Sequence, residues 1–416
     1  MKRTILPFAI FCLVVLSSNL LTAQWTKTIL PNPPGGHGAL PGRVISLESS
    51  GSNIYAGTLG GNLYLSQDNG GSWVYIDSGL TTSDINTIMA YKNNLYIGTY
   101  GSGIFISSDN GKTWNNSGAT LTNPYIYSLV ALDSTIFAGT WGGGVYASTD
   151  YGKTWTQNIN GLTDLNVRSL GIKGNRLFAG TWGDGIYLSD DFGASWTKSN
   201  NGINKLFIYT IATDGPNIFF GNDEGVYVSS NNGFFWTLLD SGLTNTYIRA
   251  LVILHPNLLV GTSGQGVFVS VNNGAVWSPV DTGLTDGYIY CLAINGSKLF
   301  AGSLNGEIWS RPLSEIVTGV EEKMKSSVAD NFMLFQNYPN PFNPVTRINY
   351  VLAKSGFVSL KVYDAIGREV ETLVSGNQNA GSYSVSFSGS NLSSGVYFYR
   401  LNAAGYSSIK KMILTK

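Results

Sequence analysis

The chain has 416 residues, enough for two or three folded units. Its 25 basic and 25 acidic residues balance, and charged residues are only 12% of the total. A neutral, weakly charged chain has no general attraction for phosphates or acidic lipids, which excludes nucleic acid and membrane surfaces as main partners. The 51 glycines among many Tyr, Phe and Trp residues are typical of an all-β protein.

The first 23 residues predict an export signal. Lys2 and Arg3 precede a short apolar run, Ile5 to Leu16, and Ala23 is a small residue at the expected cleavage position. The mature chain would then begin close to Gln24. No later apolar run reaches the roughly 18 residues of a membrane span, so no transmembrane segment is expected.

A repeat occupies the next part of the chain. The pattern Ser-x-Asp-x-Gly-x-x-Trp ends in six tryptophans spaced by 41, 41, 41, 40 and 41 residues: Trp73, Trp114, Trp155, Trp196, Trp236 and Trp277. Each unit contains four short β-type runs separated by Gly, Asn, Asp or Ser. Four strands in a period of roughly 40–45 residues predict the blade of a β-propeller.

The number of units follows from a second phrase, Gly-Thr or a close variant, which occurs seven times although there are only six boxes. The last unit ends near Ser310 without a fourth strand, and Trp25–Thr28 could supply it. Because an unpaired edge would then disappear, we predict a seven-bladed propeller over residues 24–312 whose last blade is closed by the N-terminal strand.

The box resembles the Asp-box, or BNR-like, repeat of sialidases and other propellers, a resemblance that implies a blade type and no particular activity. Its central residues are Asp68, Asp109, Asp150, Asp191, Asn231 and Asn272. A short Asx side chain accepts hydrogen bonds from turn N–H groups, and Asn can do so as well as Asp, which predicts a structural role. A calcium loop would need several acidic oxygens, so no metal is expected.

A candidate binding site follows from strand direction. Antiparallel strands alternate, so the turns opposite the boxes share one face with the links between blades, and loops on a rigid scaffold commonly bind ligands. This face receives six candidate ligand-binding residues: Tyr100, Trp141, Trp182, Arg43, Arg168 and Arg249. Tyrosines of the inner strands, such as Tyr127 and Tyr209, are expected to pack between blades. The aromatic face predicts a glycan or protein ligand. We expect a monomer, and binding is favoured over enzymatic activity.

The alternative is an extracellular glycoside hydrolase of sialidase- or xyloglucanase-like type, because sialidases hold a carboxylate with three arginines. However, the sialidase Phe/Tyr-Arg-Ile-Pro motif is absent, and xyloglucanase-type enzymes place their cleft between two propellers. No catalytic residue, zinc spacing, phosphate loop or cofactor motif can be assigned.

The C-terminal region reads as a secretion signal. A charged linker is predicted over residues 313–331, followed by the phrase Phe335-Gln-Asn-Tyr-Pro-Asn-Pro-Phe-Asn-Pro344 and by alternating strands such as Val358–Val362. Residues 332–416 resemble the type A sorting domain of the type IX secretion system, a small β-sandwich. The resemblance implies Sec export, the type IX machinery as a partner, and a secreted or outer-membrane-surface protein.

Overall fold

The computed structural model describes residues 24–32, 42–76, 79–80, 84–117, 120–317, 332–337 and 340–416. The predicted signal peptide, most of the predicted linker and residues 33–41 lie outside these ranges. The described residues form strands β1 to β35 and one short helical turn at 313–317. None of the described helical segments has the length and hydropathy needed to cross a membrane.

Most strands belong to seven four-stranded antiparallel sheets, six of them each made from one unit of the repeat and the last completed by the N-terminal strand. Their bounds, by sheet, are β2 (Val44–Ser50), β3 (Asn53–Thr58), β4 (Leu63–Ser66), β5 (Val74–Tyr75); β6 (Ile85–Tyr91), β7 (Asn94–Thr99), β8 (Ile104–Ser107), β9 (Asn115–Asn116); β10 (Ile126–Leu132), β11 (Thr135–Thr140), β12 (Gly144–Ser148), β13 (Thr156–Asn158); β14 (Val167–Lys173), β15 (Arg176–Thr181), β16 (Ile186–Ser189), β17 (Thr197–Lys198); β18 (Thr210–Asp214), β19 (Asn217–Gly221), β20 (Val226–Ser229), β21 (Thr237–Leu239); β22 (Ile248–Leu254), β23 (Asn257–Thr262), β24 (Val267–Ser270), β25 (Ser278–Pro279); and β26 (Ile289–Asn295), β27 (Lys298–Ser303), β28 (Glu307–Pro312) with β1 (Thr26–Ile29).

The last sheet is built from both ends of the repeat region. β1 pairs with β28 in the register Thr26↔Ser310 to Ile29↔Glu307, which is the pairing predicted from the missing fourth strand. Trp25 precedes β1 and donates its indole N–H to the carbonyl of Val280. Trp277 makes the same contact one sheet earlier, to the carbonyl of Leu239 at 2.9 Å. Trp25 is therefore the seventh outer-strand tryptophan, although it has no box before it.

The recurring Gly of the Gly-Thr phrase lets neighbouring sheets approach each other closely. A Cβ atom at Gly180 would lie 2.5 Å from Cγ2 of Ile208 in the next sheet, a distance that no side chain tolerates. The same relation joins Gly302 of the last sheet to Val44 of the first, where a Cβ atom would lie 2.6 Å from Cγ1. The contact is repeated at Gly57, Gly98, Gly139, Gly221 and Gly261.

The sheets form a closed ring around a channel. Each inner strand contacts the inner strands of both neighbouring sheets, and β26 of the last sheet contacts β2 of the first. A ring of four-stranded sheets is the architecture of a β-propeller, in which closure leaves few exposed strand edges.

The predicted linker does not begin at residue 313. Residues 313–317 form a helical turn whose Leu313 and Ile316 are buried against Trp25 and Trp309 of the last sheet. Ile316 is fully buried, so this turn belongs to the ring of sheets. The charged composition that predicted a linker applies to the residues that follow.

The C-terminal residues form two packed sheets, as expected for a β-sandwich. One sheet has the order β29 (Met333–Leu334), β30 (Val345–Leu352), β33 (Gly381–Ser388), and the other β32 (Glu369–Gln378), β31 (Gly356–Asp364), β34 (Gly395–Ala403), β35 (Tyr406–Leu414). Two asparagines of the Asn-Tyr-Pro-Asn-Pro phrase tie it to this sandwich. The main-chain N–H of buried Asn337 donates to the Tyr399 hydroxyl at 2.6 Å, and Asn340 Oδ1 accepts from the N–H of Ile413 at 2.7 Å.

Candidate functional site

A β-bulge at the start of the inner strands determines which side chains enter the channel. In six of these strands the register shifts at the residue that follows a buried Val or Ile. A bulge adds one residue and re-aims its side chain. The bulge residues and their equivalent ahead of β18 all line one cavity at the mouth of the channel: Ile45, Asn86, Tyr127, Arg168, Tyr209, Arg249 and Tyr290.

Two of the predicted arginines lie in this cavity, which has a volume of about 230 Å³. The guanidinium of Arg168 lies 4.6 Å from the ring centre of Tyr127, and that of Arg249 lies 4.7 Å from the ring centre of Tyr247. Arg249 also donates from Nε to the Ser263 hydroxyl at 3.1 Å. Burial lowers the pKa of Arg168 below its usual range, and the nearby positive charge of Arg249 lowers it further.

Arg43, the third predicted arginine, lies beside this cavity. Its guanidinium is 4.9 Å from the ring centre of Tyr290, and Arg249 reaches the same ring at 5.3 Å. The structure therefore brings Arg43, Arg168 and Arg249 to one mouth of the channel, on the face predicted from strand direction.

The three predicted aromatic residues form a continuous arc with channel tyrosines. Tyr100 contacts Tyr127, Tyr127 contacts Trp141, and Trp141 contacts Trp182, with ring centres 6.0, 5.8 and 5.6 Å apart. The arc continues from Trp182 to Tyr209 at 5.5 Å. Tyr100 is 42% exposed, and Trp141 and Trp182 are half-buried, so each ring keeps some surface that a ligand could contact. We call it the aromatic arc.

The channel tyrosines pack against neighbouring sheets and also line the cavity. Tyr209 is 8% exposed and contacts Trp182 of the preceding sheet and Tyr247 of the following one, in keeping with the packing predicted for it. Tyr127 and Tyr290 line the cavity as well, and a bulge turns these two side chains towards the channel. An alignment of the repeats could have found them, since each follows the buried Val or Ile that packs on the Gly of the preceding sheet.

Two carboxylates near this face accept main-chain hydrogen bonds, whereas Asp223 Oδ1 is buried without a hydrogen-bond partner. Asp84 accepts from the N–H of Gly60 at 2.7 Å, and Asp286 accepts from the N–H groups of Tyr288 and Asn305, both at 3.0 Å. Among the described residues that line the cavity there is no Asp or Glu. Paired carboxylates for glycoside hydrolysis are therefore not found in this cavity.

Two glutamates could still suggest acid–base chemistry. Glu224 accepts from the hydroxyl of Tyr227 at 2.5 Å, but Tyr227 is fully buried and its pKa is raised, first by burial, which is unfavourable for a nucleophile. Burial raises the pKa of Glu48 to about 7. Glu48 accepts from the N–H of Ala90 at 2.9 Å and thereby links the inner strands β2 and β6.

The boxes form closed hydrogen-bonded turns on the opposite face. In the first box, Asp68 Oδ1 accepts from Ser66 Oγ at 2.9 Å and from the N–H of Ser72 at 2.8 Å, while Oδ2 accepts from Ser72 Oγ at 2.6 Å. Hydrogen bonds of this kind, chiefly the one from the Ser72 hydroxyl, lower the pKa of Asp68 to about 2. The boxes of Asp109, Asp150 and Asp191 repeat this arrangement.

The Asn boxes differ at one bond only. Asn231 Oδ1 accepts from Ser229 Oγ at 2.9 Å and from the N–H of Phe235 at 3.0 Å, as an Asp would. The second oxygen of an Asp accepts from a Ser or Thr hydroxyl four residues later, but the Asn boxes have Phe235 and Val276 there. An amide NH2 group cannot accept a hydrogen bond from a hydroxyl. The boxes with Asn accordingly have no Ser or Thr four residues after it.

Metal and thiol chemistry find no support in the described part of the chain. It contains no group of three or more His, Cys, Asp or Glu residues that could hold a metal ion. Cys291 is buried, and burial raises the pKa of its thiol, which makes it an unreactive core residue.

Comparison with known proteins supports the C-terminal assignment. Residues 336–415 match the family described as "Secretion system C-terminal sorting domain". Such a domain directs export, so the protein is secreted or located at the cell surface and is a client of the type IX secretion system. No curated protein matches the chain in sequence.

Solved structures that resemble the chain are propellers of low sequence identity. YCF48 bound to D1 peptide has a TM-score of 0.58 at 15% identity, covering 69% of this chain and 95% of that one. PorZ of Porphyromonas gingivalis, a surface component of the type IX secretion system, has a TM-score of 0.53 at 17% identity, covering 92% of this chain and 61% of that one. The GH74 xyloglucanase of Xanthomonas campestris has a TM-score of 0.52 at 13% identity, covering 78% and 59%. These similarities show the propeller fold alone.

Proposed function

We propose that this protein is an exported, non-enzymatic, seven-bladed propeller of the Asp-box type that binds a glycan or protein ligand at the mouth of its channel. Residues 24–317 would form the propeller, with a linker up to residue 331 and the sorting domain from 332 to 416. The observation that carries the proposal is the aromatic arc, which continues into a cavity holding two arginines and no carboxylate.

The chemistry of the arc favours binding. Aromatic faces held on short turns by a rigid scaffold lose little conformational entropy when they bind a ligand, and they suit the apolar face of a sugar ring or an extended side chain. Trp141 and Trp182 lie on neighbouring sheets with ring centres 5.6 Å apart, so one ligand could contact both.

The structural neighbours bear on both hypotheses without deciding between them. One is described as bound to a peptide, one as a surface component of a secretion system and one as a xyloglucanase, and propellers host unrelated functions on one scaffold. The hydrolase alternative is weaker because it requires two carboxyl groups facing a substrate. Among the described carboxyl groups whose pKa is clearly shifted, only that of Glu48 is raised, to about 7. Its carboxylate already accepts a hydrogen bond from the main-chain N–H of Ala90.

The test is a screen of glycans and peptides against the full exported chain, with hydrolysis assayed on every hit. Trp141→Ala/Trp182→Ala should abolish binding. The matched control is Phe192→Ala/Phe234→Ala, which removes two exposed aromatic rings from the box turns, 43% and 63% exposed, and should leave binding unchanged. Product formation would establish the hydrolase, and equal loss in both variants would place the site elsewhere.

A further inference from the structure

The C-terminal sandwich contacts the ring of sheets at the outer edge of the fifth sheet, β18 to β21. Two hydroxyl groups of this sheet donate to the Asn-Tyr-Pro-Asn-Pro phrase. Thr237 Oγ1, in β21, donates to the carbonyl of Asn340 at 2.7 Å, and Ser230 Oγ, in the box turn, donates to the carbonyl of Pro341. We call the box turn, residues 230–234, together with β21 the fifth-sheet edge.

The fifth-sheet edge is less polar and less exposed than the same edge of the sheets before it. Leu238 lies at the centre of β21, where the second, third and fourth sheets have Asn116, Gln157 and Lys198. All residues of β9 and β17 are exposed, whereas no residue of β21 is. Ser230 is half-buried, although the residues at its position in the first four sheets are exposed. The sequence of the fifth sheet is therefore suited to an edge that another part of the chain covers.

The two boxes that have Asn in place of Asp are also the two that lie next to the sandwich. Asn231 of the fifth box lines a cavity of about 430 Å³ together with Pro341 and Phe342. Ala275 of the sixth box lines a second cavity, of about 630 Å³, together with Phe335. Among the described residues, none from the four Asp boxes lines either cavity. Because a charged carboxylate is costly to remove from water, a neutral amide suits a box that a second domain approaches.

The contact has the features of one that can open. Cavities of this size show that the two surfaces are not close-packed as the interior of a domain is. Opposite charges also meet there, since Asp240 of the fifth sheet lines the larger cavity with Lys410 and Lys411 of β35. Polar interfaces between domains of one chain commonly permit domain motion. We therefore expect a closed and an open arrangement in equilibrium.

The closed arrangement covers the turn with which the sorting domain begins. Asn340 is 8% exposed, and Pro341 is buried. The carbonyls of both residues accept hydrogen bonds from the fifth-sheet edge. A partner that contacts this turn must therefore displace the edge first.

We propose that the fifth-sheet edge is a docking surface for the protein's own sorting domain, and that this domain becomes accessible to the type IX machinery when the contact opens. The Ser230 and Thr237 hydroxyls hold the closed state. This inference concerns the outside of the ring and does not depend on the ligand proposed for the channel mouth.

The test is small-angle X-ray scattering of the full exported chain, combined with deuterium exchange. Ser230→Ala/Thr237→Val removes both donors and nearly preserves side-chain volume. Each such hydrogen bond shifts an equilibrium about two- to tenfold, so the open population should rise about tenfold. The radius of gyration should increase, and exchange within residues 336–344 should become faster. The matched control, Thr149→Ala/Thr156→Val, makes equivalent changes in the third sheet and should alter neither quantity.

A second variant uses charge in place of hydrogen bonding. Leu238→Lys adds a positive charge to the cavity that Lys410 and Lys411 line. The strand should accept it, because the fourth sheet has Lys198 at this position. We expect opening at low salt and closure as salt screens the repulsion. Its control is Gln157→Lys in the third sheet, which should stay closed at every salt concentration.

Unchanged scattering and exchange in both fifth-sheet variants would overturn the docking surface. Equal expansion of the fifth-sheet and third-sheet variants would overturn it too, because the substitutions would then act on the sheets themselves. Accessibility is measured by pulse–chase in cells that have the type IX system. Ser230→Ala/Thr237→Val should appear outside the cell sooner than the wild type and the third-sheet control. Equal or slower appearance would show that the closed state is no barrier to export and would overturn that part of the inference.

Discussion

Two sets of aromatic residues recur with the same period and do different work. The box tryptophans and Trp25 are at most 7% exposed, and several donate their indole N–H to a carbonyl of the neighbouring sheet. On the opposite face, Tyr100, Trp141 and Trp182 occupy turn positions where other sheets have Leu59, Asp223, Ser263 or Leu304. At the box positions every sheet packs against the same kind of neighbour, and the residue there is always Trp. At these turns the side chains are exposed or only half-buried, so packing restricts the residue type less, and this is where a binding site can develop.

The largest expected effect distinguishes the two sets directly. Trp277→Ala should reduce the free energy of unfolding by about 3–5 kcal/mol, because it leaves a cavity between two sheets. Trp141→Ala should cost about 1 kcal/mol or less, because its half-buried ring contacts Tyr127 and Trp182 at the mouth of the channel. Thermal and urea unfolding of the exported chain would measure both. Similar losses in the two variants would show that the arc is part of the scaffold.

A second prediction concerns the close approach of the sheets. Gly180→Ala should destabilise the protein by about 1–3 kcal/mol, because its Cβ would overlap Ile208. Gly183→Ala in the following turn is the control, since its nearest neighbour, the ring of Phe207, would be 3.8 Å from the new Cβ. The same unfolding measurements apply, and a tolerated Gly180→Ala would mean that the sheets are packed less tightly than described.

The smallest effect concerns Glu48, between the first two sheets, and depends on pH. Because the pKa of Glu48 is raised from 4.5 to about 7 on folding, the folded protein binds this proton more tightly than the unfolded chain. Stability should therefore fall as the pH rises from about 4.5 to about 7. Glu48→Gln keeps an oxygen for the N–H of Ala90 and should be about 1–2 kcal/mol more stable than the wild type at pH 8, but equal to it at pH 4.

Thermal unfolding of both proteins from pH 4 to pH 8 would measure that difference. If the two curves remain parallel across this range, Glu48 is not the titrating group. The burial of the Glu48 carboxyl group would then have no measurable effect on the free energy of unfolding.

Much of the fold could be predicted from the sequence because the repeat is local. The four strand segments of each unit, the tryptophan that ends each box and the Asn-Tyr-Pro-Asn-Pro phrase are all short patterns whose chemistry is visible in order along the chain. The pairing of the N-terminal strand with β28 was also predictable, because a closed ring needs the missing strand. The face that carries Trp141 and Trp182 followed from strand direction alone.

The alternation of residues along a strand does not predict which side chains line the channel, and only the tertiary structure shows them. A bulge turns Tyr127 and Tyr290 into the channel, because one added residue changes the side of the sheet on which a side chain emerges. The structure also shows that Ile316, within a polar segment, is buried in a cluster that includes Trp25 from the opposite end of the repeat region. By itself the sequence determined the repeating scaffold and the export signal at its C-terminal end, because both depend on local patterns, whereas the charge and shape of the channel mouth depend on which distant side chains the closed ring brings together.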